Sequence, residues 1–240
     1  MKRYILTTLV AFIATAATAQ LNIQLHYDLG DALYGKQLSN RQHWTATIEN
    51  YSADPWGSTY FFVDANFGDN VLESAYTEIS RGLKFWDAPV AVQVEYNGGL
   101  SNTTGSYSDA YLLGAAYNWA NKDFSRTFTA QAFYRYQAKD KCGSKHTWQL
   151  TGVWGIHFAK RLYSFTGYVD LIHDNSVNGS LILTSEPQFW VNLNALKKVN
   201  DKFNLSVGTE LEISNNFVWP TDGINNRFYV IPTLAAKWTF

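Results

Sequence analysis

Residues 227–240 read RFYVIPTLAAKWTF, and this stretch decides the fold that we predict. In a β-strand, alternate side chains point to opposite faces. One alternate set is wholly apolar and ends on Trp238 and Phe240, whereas the other set carries Arg227, Lys237 and two threonines. Such a strand suits a transmembrane barrel, in which it pairs with the first strand, turns its apolar face to lipid and sets both aromatics at the membrane interface. The soluble alternative is an edge strand of a β-sandwich.

Residues 1–19 have the features of a secretory signal peptide. Lys2 and Arg3 supply a charged start, an apolar segment follows, and residues 17–19 (Ala-Thr-Ala) fit a small-x-small cleavage site. The alternative, a membrane-anchoring helix, needs a longer apolar run. We therefore expect the mature chain, residues 20–240, to be exported and to form one domain.

The charge balance and the single cysteine argue against several classes of protein. The chain has 19 Lys+Arg against 20 Asp+Glu and no basic stripe, so a nucleic-acid partner is not expected. Cys142 is the only cysteine, which excludes an intramolecular disulfide and favours a plain thiol in a loop. After the signal there is no run of eighteen apolar residues, so a helical membrane protein is excluded. Frequent aromatic residues (16%) with few charged ones (16%) fit a barrel, whose hydrophobicity is hidden in alternation.

The rest of the chain repeats the alternating pattern of residues 227–240. Twelve strands are predicted in all, at about residues 21–29, 42–51, 58–67, 75–85, 89–97, 108–118, 125–137, 146–158, 162–173, 181–194, 203–213 and 227–240. Two strands fit less well: Arg81 falls on the apolar side of the fourth, and both faces of the sixth are apolar.

The lengths of the connections support the same fold. Connections after even-numbered strands are short, whereas most of those after odd-numbered strands are longer, with residues 68–74 the shortest of the longer set. Bacterial barrels alternate short periplasmic turns with longer extracellular loops in this way. We therefore predict an all-β fold, a single transmembrane antiparallel β-barrel of about twelve strands, with both termini on the periplasmic side.

Enzyme chemistry is not indicated by the motifs. The five histidines form no HExxH motif, no GxSxG elbow occurs, and no metal site is predicted. The outer-membrane phospholipase, also a twelve-stranded barrel, is one alternative, but its long motif around the nucleophilic serine is not visible. Residues 173–176 (His-Asp-Asn-Ser) come nearest to a catalytic serine motif, and we interpret them as a loop turn. We predict that the protein is not an enzyme and that it uses no cofactor.

The polar sides of the strands are expected to line a lumen. The candidate solute contacts are Tyr60, Phe62, Asp64, Glu78, Glu95, Arg135, Tyr168, Asp170, Trp190 and Glu210. Aromatic rings stack on flat rings, and carboxylates accept hydrogen bonds from hydroxyls and exocyclic amines. This combination suits a neutral, ring-bearing polar solute. The alternative is a network of paired charges that braces the barrel wall.

Several stretches carry a resemblance to a known family. They are residues 60–66 (YFFVDAN), 77–83 (TEISRGL), 111–119 and 134–137 (YRYQ), with the aromatic carboxyl end, and together they span most of the mature chain. In them the sequence resembles the nucleoside-specific channel family of the outer membrane (Tsx-like) and a group of uncharacterised Bacteroidetes-type outer-membrane barrels of the same superfamily. The resemblance implies a narrow, monomeric, twelve-stranded channel that passes nucleosides by diffusion. Phe62, Asp64, Glu78 and Arg81 match family positions, whereas the family's Trp- and His-rich amino end has no counterpart in residues 20–28.

Together these observations predict an outer-membrane channel of a Gram-negative bacterium for passive diffusion of small polar solutes, with nucleosides as a candidate. A phospholipase-type enzyme and a plugged structural or adhesion barrel, which would bind a surface ligand through residues 214–226, are the alternatives. The expected partners are outer-membrane lipid, the solute and the barrel-assembly machinery, for which Trp238 and Phe240 form the signal. Thr233, Lys237 and Thr239 should face the lumen near the periplasmic mouth.

Overall fold

The structure, a computed structural model, describes residues 20–68, 71–102, 107–138, 145–223 and 226–240. The strand segments in these ranges are β1 (Gln20–Asp28), β2 (Trp44–Asp54), β3 (Gly57–Gly68), β4 (Val71–Leu83), β5 (Val90–Ser101), β6 (Ala110–Ala120), β7 (Arg126–Gln137), β8 (His146–Phe158), β9 (Tyr163–His173), β10 (Leu181–Ser185), β11 (Gln188–Asn192), β12 (Leu205–Asn215) and β13 (Phe228–Thr239). A short helix α1 (Gly30–Tyr34) and 3-10 turns at Gly35–Leu38, Asn178–Ser180 and Leu193–Ala195 accompany them. No helix of the described ranges is long and apolar enough to cross a membrane. The predicted signal peptide and Cys142 lie outside these ranges.

The strands close into an antiparallel barrel. Strands β1 to β9 pair in sequence order, and β13 pairs with both β12 and β1, with Leu25 opposite Ala236. Segments β10 and β11 both lie between β9 and β12, so they are two halves of one strand position. The barrel therefore has twelve strand positions, which confirms the predicted all-β fold.

The predicted continuous strand at residues 181–194 is wrong, because the tenth position is broken at Glu186 and Pro187. Proline has no N–H to donate to a ladder. The wall stays closed because the Glu186 N–H donates to the Tyr168 carbonyl (3.1 Å) and the Leu211 N–H donates to the Pro187 carbonyl (3.0 Å). On the facing strand, Gly167 has a φ of +154°, and a Cβ there would lie 2.6 Å from the Glu186 carbonyl oxygen. A glycine at this place is thus required by the break.

Burial settles which face of the ambiguous sixth predicted strand points outward. The outward side chains of β6 are about half exposed, at 51% for Tyr111, 55% for Leu113, 46% for Tyr117 and 47% for Trp119. The inward side chains Ala110 and Leu112 are at most 3% exposed and pack with Phe133 of β7. An apolar belt thus covers the outside here, and a small apolar cluster fills the inside.

Arg81 lies on the outward face of β4, as the alternation predicted. Its guanidinium donates to both carboxylate oxygens of Asp54 (2.7 and 2.9 Å) and to the Thr59 hydroxyl (3.0 Å). Asp54 ends β2 beside the turn at residues 55–56. The charge that disturbed the sequence pattern is therefore neutralised at the rim of the barrel.

The connections alternate less regularly than predicted. Both strands of the β3–β4 hairpin extend into the predicted loop at residues 68–74, so that only residues 69–70 join them. The connection at residues 193–204, expected to be short, contains a 3-10 turn. We call the end with the β2–β3 turn the short-turn end and the opposite end the long-loop end. Gln20 and Phe240 lie at the short-turn end, where the Phe240 N–H donates to the Leu21 carbonyl (2.9 Å).

Two loops pack together at the long-loop end, and we call their described parts the two-loop cap (residues 29–43, 216–223 and 226–227). Leu38 of the first loop is fully buried against Val218 of the second and against Tyr229 and Ile231 of β13. Thr221 donates its N–H to the Gln37 carbonyl (2.9 Å) and its hydroxyl to the Lys36 carbonyl (2.7 Å). The cap therefore narrows this end of the barrel.

Candidate functional site in the barrel interior

The inner wall of the barrel carries many more negative than positive groups. By strand alternation and pairing, the inward carboxylates of the described strands are Asp28, Glu49, Asp64, Glu78, Glu95, Asp170, Glu210 and Glu212, against Arg135 and Lys237 as the inward basic side chains. Glu186 joins them from the break between β10 and β11, close enough to Glu210 for their charges to interact. Carboxylates accept hydrogen bonds and attract cations. The interior is thus suited to solutes that donate hydrogen bonds or carry positive charge.

All ten predicted lumen residues lie on the inward faces of their strands. Most keep part of their surface accessible to solvent, among them Tyr60, Asp64 and Glu95. Two are more deeply buried: Trp190 has no exposed surface, and Asp170 is 7% exposed. Trp190 therefore supports the wall, whereas Asp170 keeps a small accessible surface and, with the other eight, remains a candidate for direct solute contact.

A row of aromatic rings runs along the inside of β3 and β4 toward the long-loop end. The ring centroids of Tyr60 and Phe62 are 6.1 Å apart, those of Phe62 and Tyr76 are 6.0 Å apart, and those of Tyr76 and Tyr107 are 5.5 Å apart. The Tyr76 hydroxyl donates to the Glu78 carboxylate at 2.8 Å. We call these four residues the aromatic row. Sequence reasoning missed Tyr76, although it shares the inward parity of Glu78, and it missed Tyr107 because that residue belongs to a loop.

A second group, the packed wall (Gln24, His26, Gln188, Trp190 and Lys237), fills the interior beside β1, β11 and β13. His26 is hydrogen-bonded to the Gln24 side chain (3.0 Å) and to the Thr233 hydroxyl (3.1 Å). The Trp190 indole N–H donates to the Gln188 side-chain oxygen (3.0 Å), and the Lys237 Nζ lies 4.1 Å from the Trp190 ring centroid. Lys237 faces the interior, as its position in the sequence predicted. These side chains therefore occupy the interior beside β1, β11 and β13.

Arg135 of β7 faces the interior from the side of the barrel opposite β1 and β13. The charges of Glu78, Glu95 and Asp170 all act on it. Asp170 accepts a hydrogen bond from the Thr151 hydroxyl, and Tyr76 occupies one side of Glu78. Within the described ranges, however, no carboxylate lies within ion-pairing distance, 4.0 Å, of the Arg135 guanidinium. Arg135 and these carboxylates thus interact through their charges without a direct ion pair.

The two-loop cap places one further cation at the long-loop end of the lumen. The Arg41 guanidinium donates to Asp28 (2.6 Å) and to Glu212 (2.9 Å), and so it links β1 to β12. Burial alone would lower the pKa of Arg41, but the charge of Glu212 and the hydrogen bonds and charge of Asp28 outweigh it, so this pKa lies above its ordinary value. Arg41 therefore stays charged and keeps its ion pairs with Asp28 and Glu212. Strand alternation gives no signal for it, because it belongs to a loop.

Residues 173–176, which the sequence offered as the nearest candidate for enzyme chemistry, form a turn. The Ser176 N–H and hydroxyl both donate to the Asp174 carboxylate at 2.7 Å, as in the turn that the sequence predicted for residues 173–176. The His173 ring stacks on Trp148 with centroids 5.8 Å apart. Over the ranges that the structure covers, no group of three or more His, Cys, Asp or Glu side chains is placed to hold a metal ion.

Comparison with known proteins identifies both a family and a fold. A family model described as "Domain of unknown function (DUF5020)" matches residues 19–240. No curated protein matches the chain significantly. Among solved structures, a NanC porin is similar with a TM-score of 0.57 and 12% identity, covering 92% of this chain and 100% of that one. A KdgM porin gives a TM-score of 0.49 at 10% identity, covering 92% of this chain and 99% of that one. The likeness to the NanC porin supports the outer-membrane barrel fold, whereas the resemblance to nucleoside-specific channels stays a prediction.

Proposed function

The chain belongs to the DUF5020 family, and from its barrel geometry we propose that it is an outer-membrane channel for passive diffusion of small polar solutes. One observation carries the proposal: within a closed wall, charged side chains such as Asp64, Glu78 and Glu95 keep surface that water can reach. Burying a carboxylate away from water is costly unless it is paired. Partly accessible, mostly unpaired carboxylates therefore favour a hydrated lumen over a filled one.

The charge of the lumen sets the class of solute. Rings of Asp and Glu favour cations in channels, and binding that is weak and spread over several sites permits passage. The inward carboxylates outnumber Arg135, Lys237 and Arg41. We therefore expect small neutral and positively charged solutes to enter more readily than anions. The same proposal includes a Gram-negative outer membrane as the location and a monomeric state. Its partners are outer-membrane lipid and the barrel-assembly machinery.

Reversal potentials across a planar bilayer test this function. The purified protein in a KCl gradient should show conductance that favours K⁺ over Cl⁻. Glu78→Gln should reduce the preference, because it removes one lumen charge, whereas Asp87→Asn in the exposed β4–β5 turn should leave the preference unchanged. A correctly folded protein that is silent in the bilayer would overturn the channel and would favour a plugged structural barrel.

Nucleosides are the candidate solute that the aromatic row favours. Stacking of a base on an aromatic side chain contributes about 1–3 kcal/mol. The carboxylate of Glu78 beside the row could accept hydrogen bonds from a base or a ribose. Because Phe62 is central to the row, Phe62→Leu should slow the entry of uridine into reconstituted liposomes more than the entry of ribose. Phe61→Leu, on the outward face of the same strand, is the matched control. Equal uridine-to-ribose ratios in Phe62→Leu and the unchanged protein would exclude a role for the row in nucleoside selection.

A further inference from the structure

Among the residues that the structure describes, Arg135 lacks the ion pair that three other arginines form. Arg41, Arg81 and Arg227 each have a carboxylate oxygen within 2.8 Å. Arg135 points inward between Leu112 of β6 and Thr147 of β8. In the described ranges it forms no ion pair within 4.0 Å, and its buried Nε has no hydrogen-bond partner. Arg135 is thus close enough to Glu78, Glu95 and Asp170 for their charges to interact, yet it pairs directly with none of them.

Two buried amide side chains near Arg135 also have an unused hydrogen-bonding atom. Asn97 and Gln149 are 3% and 2% exposed. Asn97 is hydrogen-bonded to Glu95, and the Gln149 Nε2 donates to the Thr151 hydroxyl (3.1 Å). Their side-chain oxygens, Oδ1 and Oε1, have no partner in the structure. A buried acceptor without a donor is costly. Both oxygens therefore lack the donor that a ligand with N–H groups would bring.

The strand register places these groups around one region of the inner wall. Gln149 is opposite Phe133, two residues from Arg135 on the same face of β7. Asn97 is opposite Ala110, which in turn is opposite Gln137, two residues from Arg135 in the other direction. Asn97 is also the neighbour of Glu78 across the β4–β5 pair. The unused donor of Arg135 and the two unused acceptors thus belong to one continuous patch.

We infer that this patch, the zwitterion site (Glu78, Glu95, Asn97, Arg135, Gln149 and Asp170), binds small molecules that carry both a carboxylate and an ammonium group, the chemistry of amino acids and short peptides. A guanidinium offers a planar fork of donors that matches a carboxylate. An ammonium has three donors and no acceptor, so it needs acceptors of the kind that the carboxylates and the two amide oxygens supply. The inference rests on the proposed channel, which brings the solute to the site.

Simpler ligands satisfy the site less well. An anion without an ammonium would pair with Arg135 but would also face Glu78, Glu95 and Asp170. A cation without a carboxylate would leave the Arg135 Nε unpartnered. Only a ligand with both groups satisfies the donor and the acceptors together, provided that its two charges are separated as in an amino acid.

Three ligands with the same carbon skeleton test this requirement. Binding of L-alanine, L-lactate and L-alaninamide to the purified full chain in detergent should be measured at about pH 6, where the amine of the amide is protonated. L-Alanine should bind at least about tenfold more tightly than either of the others. Arg135→Gln should weaken alanine binding by about tenfold or more, because a charged hydrogen-bond donor is lost, and it should not weaken alaninamide binding. The control Arg126→Gln lies on the outward face of the same strand and should bind all three as the unchanged protein does.

The outcomes separate this site from the channel function. Conductance in a bilayer together with equal affinities for alanine and lactate would overturn the zwitterion site and leave the channel standing. Arg135-dependent alanine binding in a protein that conducts no ions would support the site and overturn the channel. Arg135→Lys keeps the charge but loses the planar fork, so it provides a second variant in case Arg135→Gln does not fold. It should bind alanine more weakly than the unchanged protein, and unchanged binding in Arg135→Lys would exclude the fork as the recognition element.

Discussion

The Arg81 guanidinium of β4 donates two hydrogen bonds, of 2.7 and 2.9 Å, to the Asp54 carboxylate at the end of β2. The pair therefore spans the intervening strand β3. Because both side chains lie at the solvent-exposed rim, the pair should contribute little to stability by itself. Reversing one charge is a stronger test. Arg81→Glu should lower the free energy of unfolding in urea, since it sets two carboxylates together, and the double change with Asp54→Arg should recover most of the loss. A double variant as unstable as Arg81→Glu would contradict the pairing.

Trp190 should be the most important single side chain of the packed wall. It has no exposed surface, and it lies over Gly208, where an added Cβ would come within 2.8 Å of the Trp190 ring. Trp190→Ala should cost about 3–5 kcal/mol of unfolding free energy, as large-to-small changes in cores do. Trp190→Phe retains a ring and loses only the hydrogen bond to Gln188, for about 1 kcal/mol. Urea unfolding monitored by circular dichroism measures both.

The same substitutions also distinguish a supporting role from solute contact. If Trp190 only supports the wall, Trp190→Phe should leave the uptake of uridine and alanine unchanged. A change in the relative uptake of these solutes with unchanged stability would instead make Trp190 a direct contact. Gly208→Ala, whose Cβ would lie 2.1 Å from the Phe189 carbonyl oxygen and 2.8 Å from the Trp190 ring, should also destabilise the barrel.

Arg41 should control the opening of the two-loop cap. Arg41→Gln removes the ties to Asp28 and Glu212, so the single-channel conductance should rise and a protease should cut residues 29–43 faster. Arg227→Gln is the matched control, because Arg227 pairs with Asp222 at the outer part of the cap. Unchanged conductance in Arg41→Gln would show that the cap does not limit flow.

The pH dependence of the cap follows from the raised pKa of Arg41. A group whose pKa is higher in the folded state stabilises that state below its ordinary pKa and loses the effect only when the pH rises through the higher value. Arg41 therefore remains charged throughout the neutral and moderately alkaline range. The conductance difference between Arg41→Gln and the unchanged protein should stay constant from about pH 7 to about pH 10. A difference that disappears within this range would require another titrating group.

Alternation was sufficient to predict the barrel, because each strand of a membrane barrel must separate lipid-facing from lumen-facing side chains. It was insufficient in β6, where Leu112 packs inside against Phe133 and both faces are therefore apolar. The break at Pro187 had a visible signal, since proline cannot serve in a strand interior, but its counterpart Gly167 becomes meaningful only once the pairing is known. In the candidate site, too, only some of the groups could be predicted from the sequence. Glu78 and Arg135 follow from alternation, whereas the unused oxygens of Asn97 and Gln149 depend on distances that no sequence pattern contains.

The carboxyl-terminal residue offers a test of assembly that is separate from transport. The Phe240 N–H donates to the Leu21 carbonyl and completes the β13–β1 closure, while its ring is 65% exposed on the apolar side. Trp238, two residues earlier, packs against Phe203 with centroids 5.8 Å apart. Deleting Phe240 should therefore lower the amount of folded barrel in the outer membrane, while the molecules that do fold conduct normally. Phe124→Ala removes an equally exposed ring (67%) from a turn and should leave the yield unchanged. A normal yield after deletion of Phe240, measured by the heat-dependent shift of the folded band on a gel, would show that this residue is not an assembly signal.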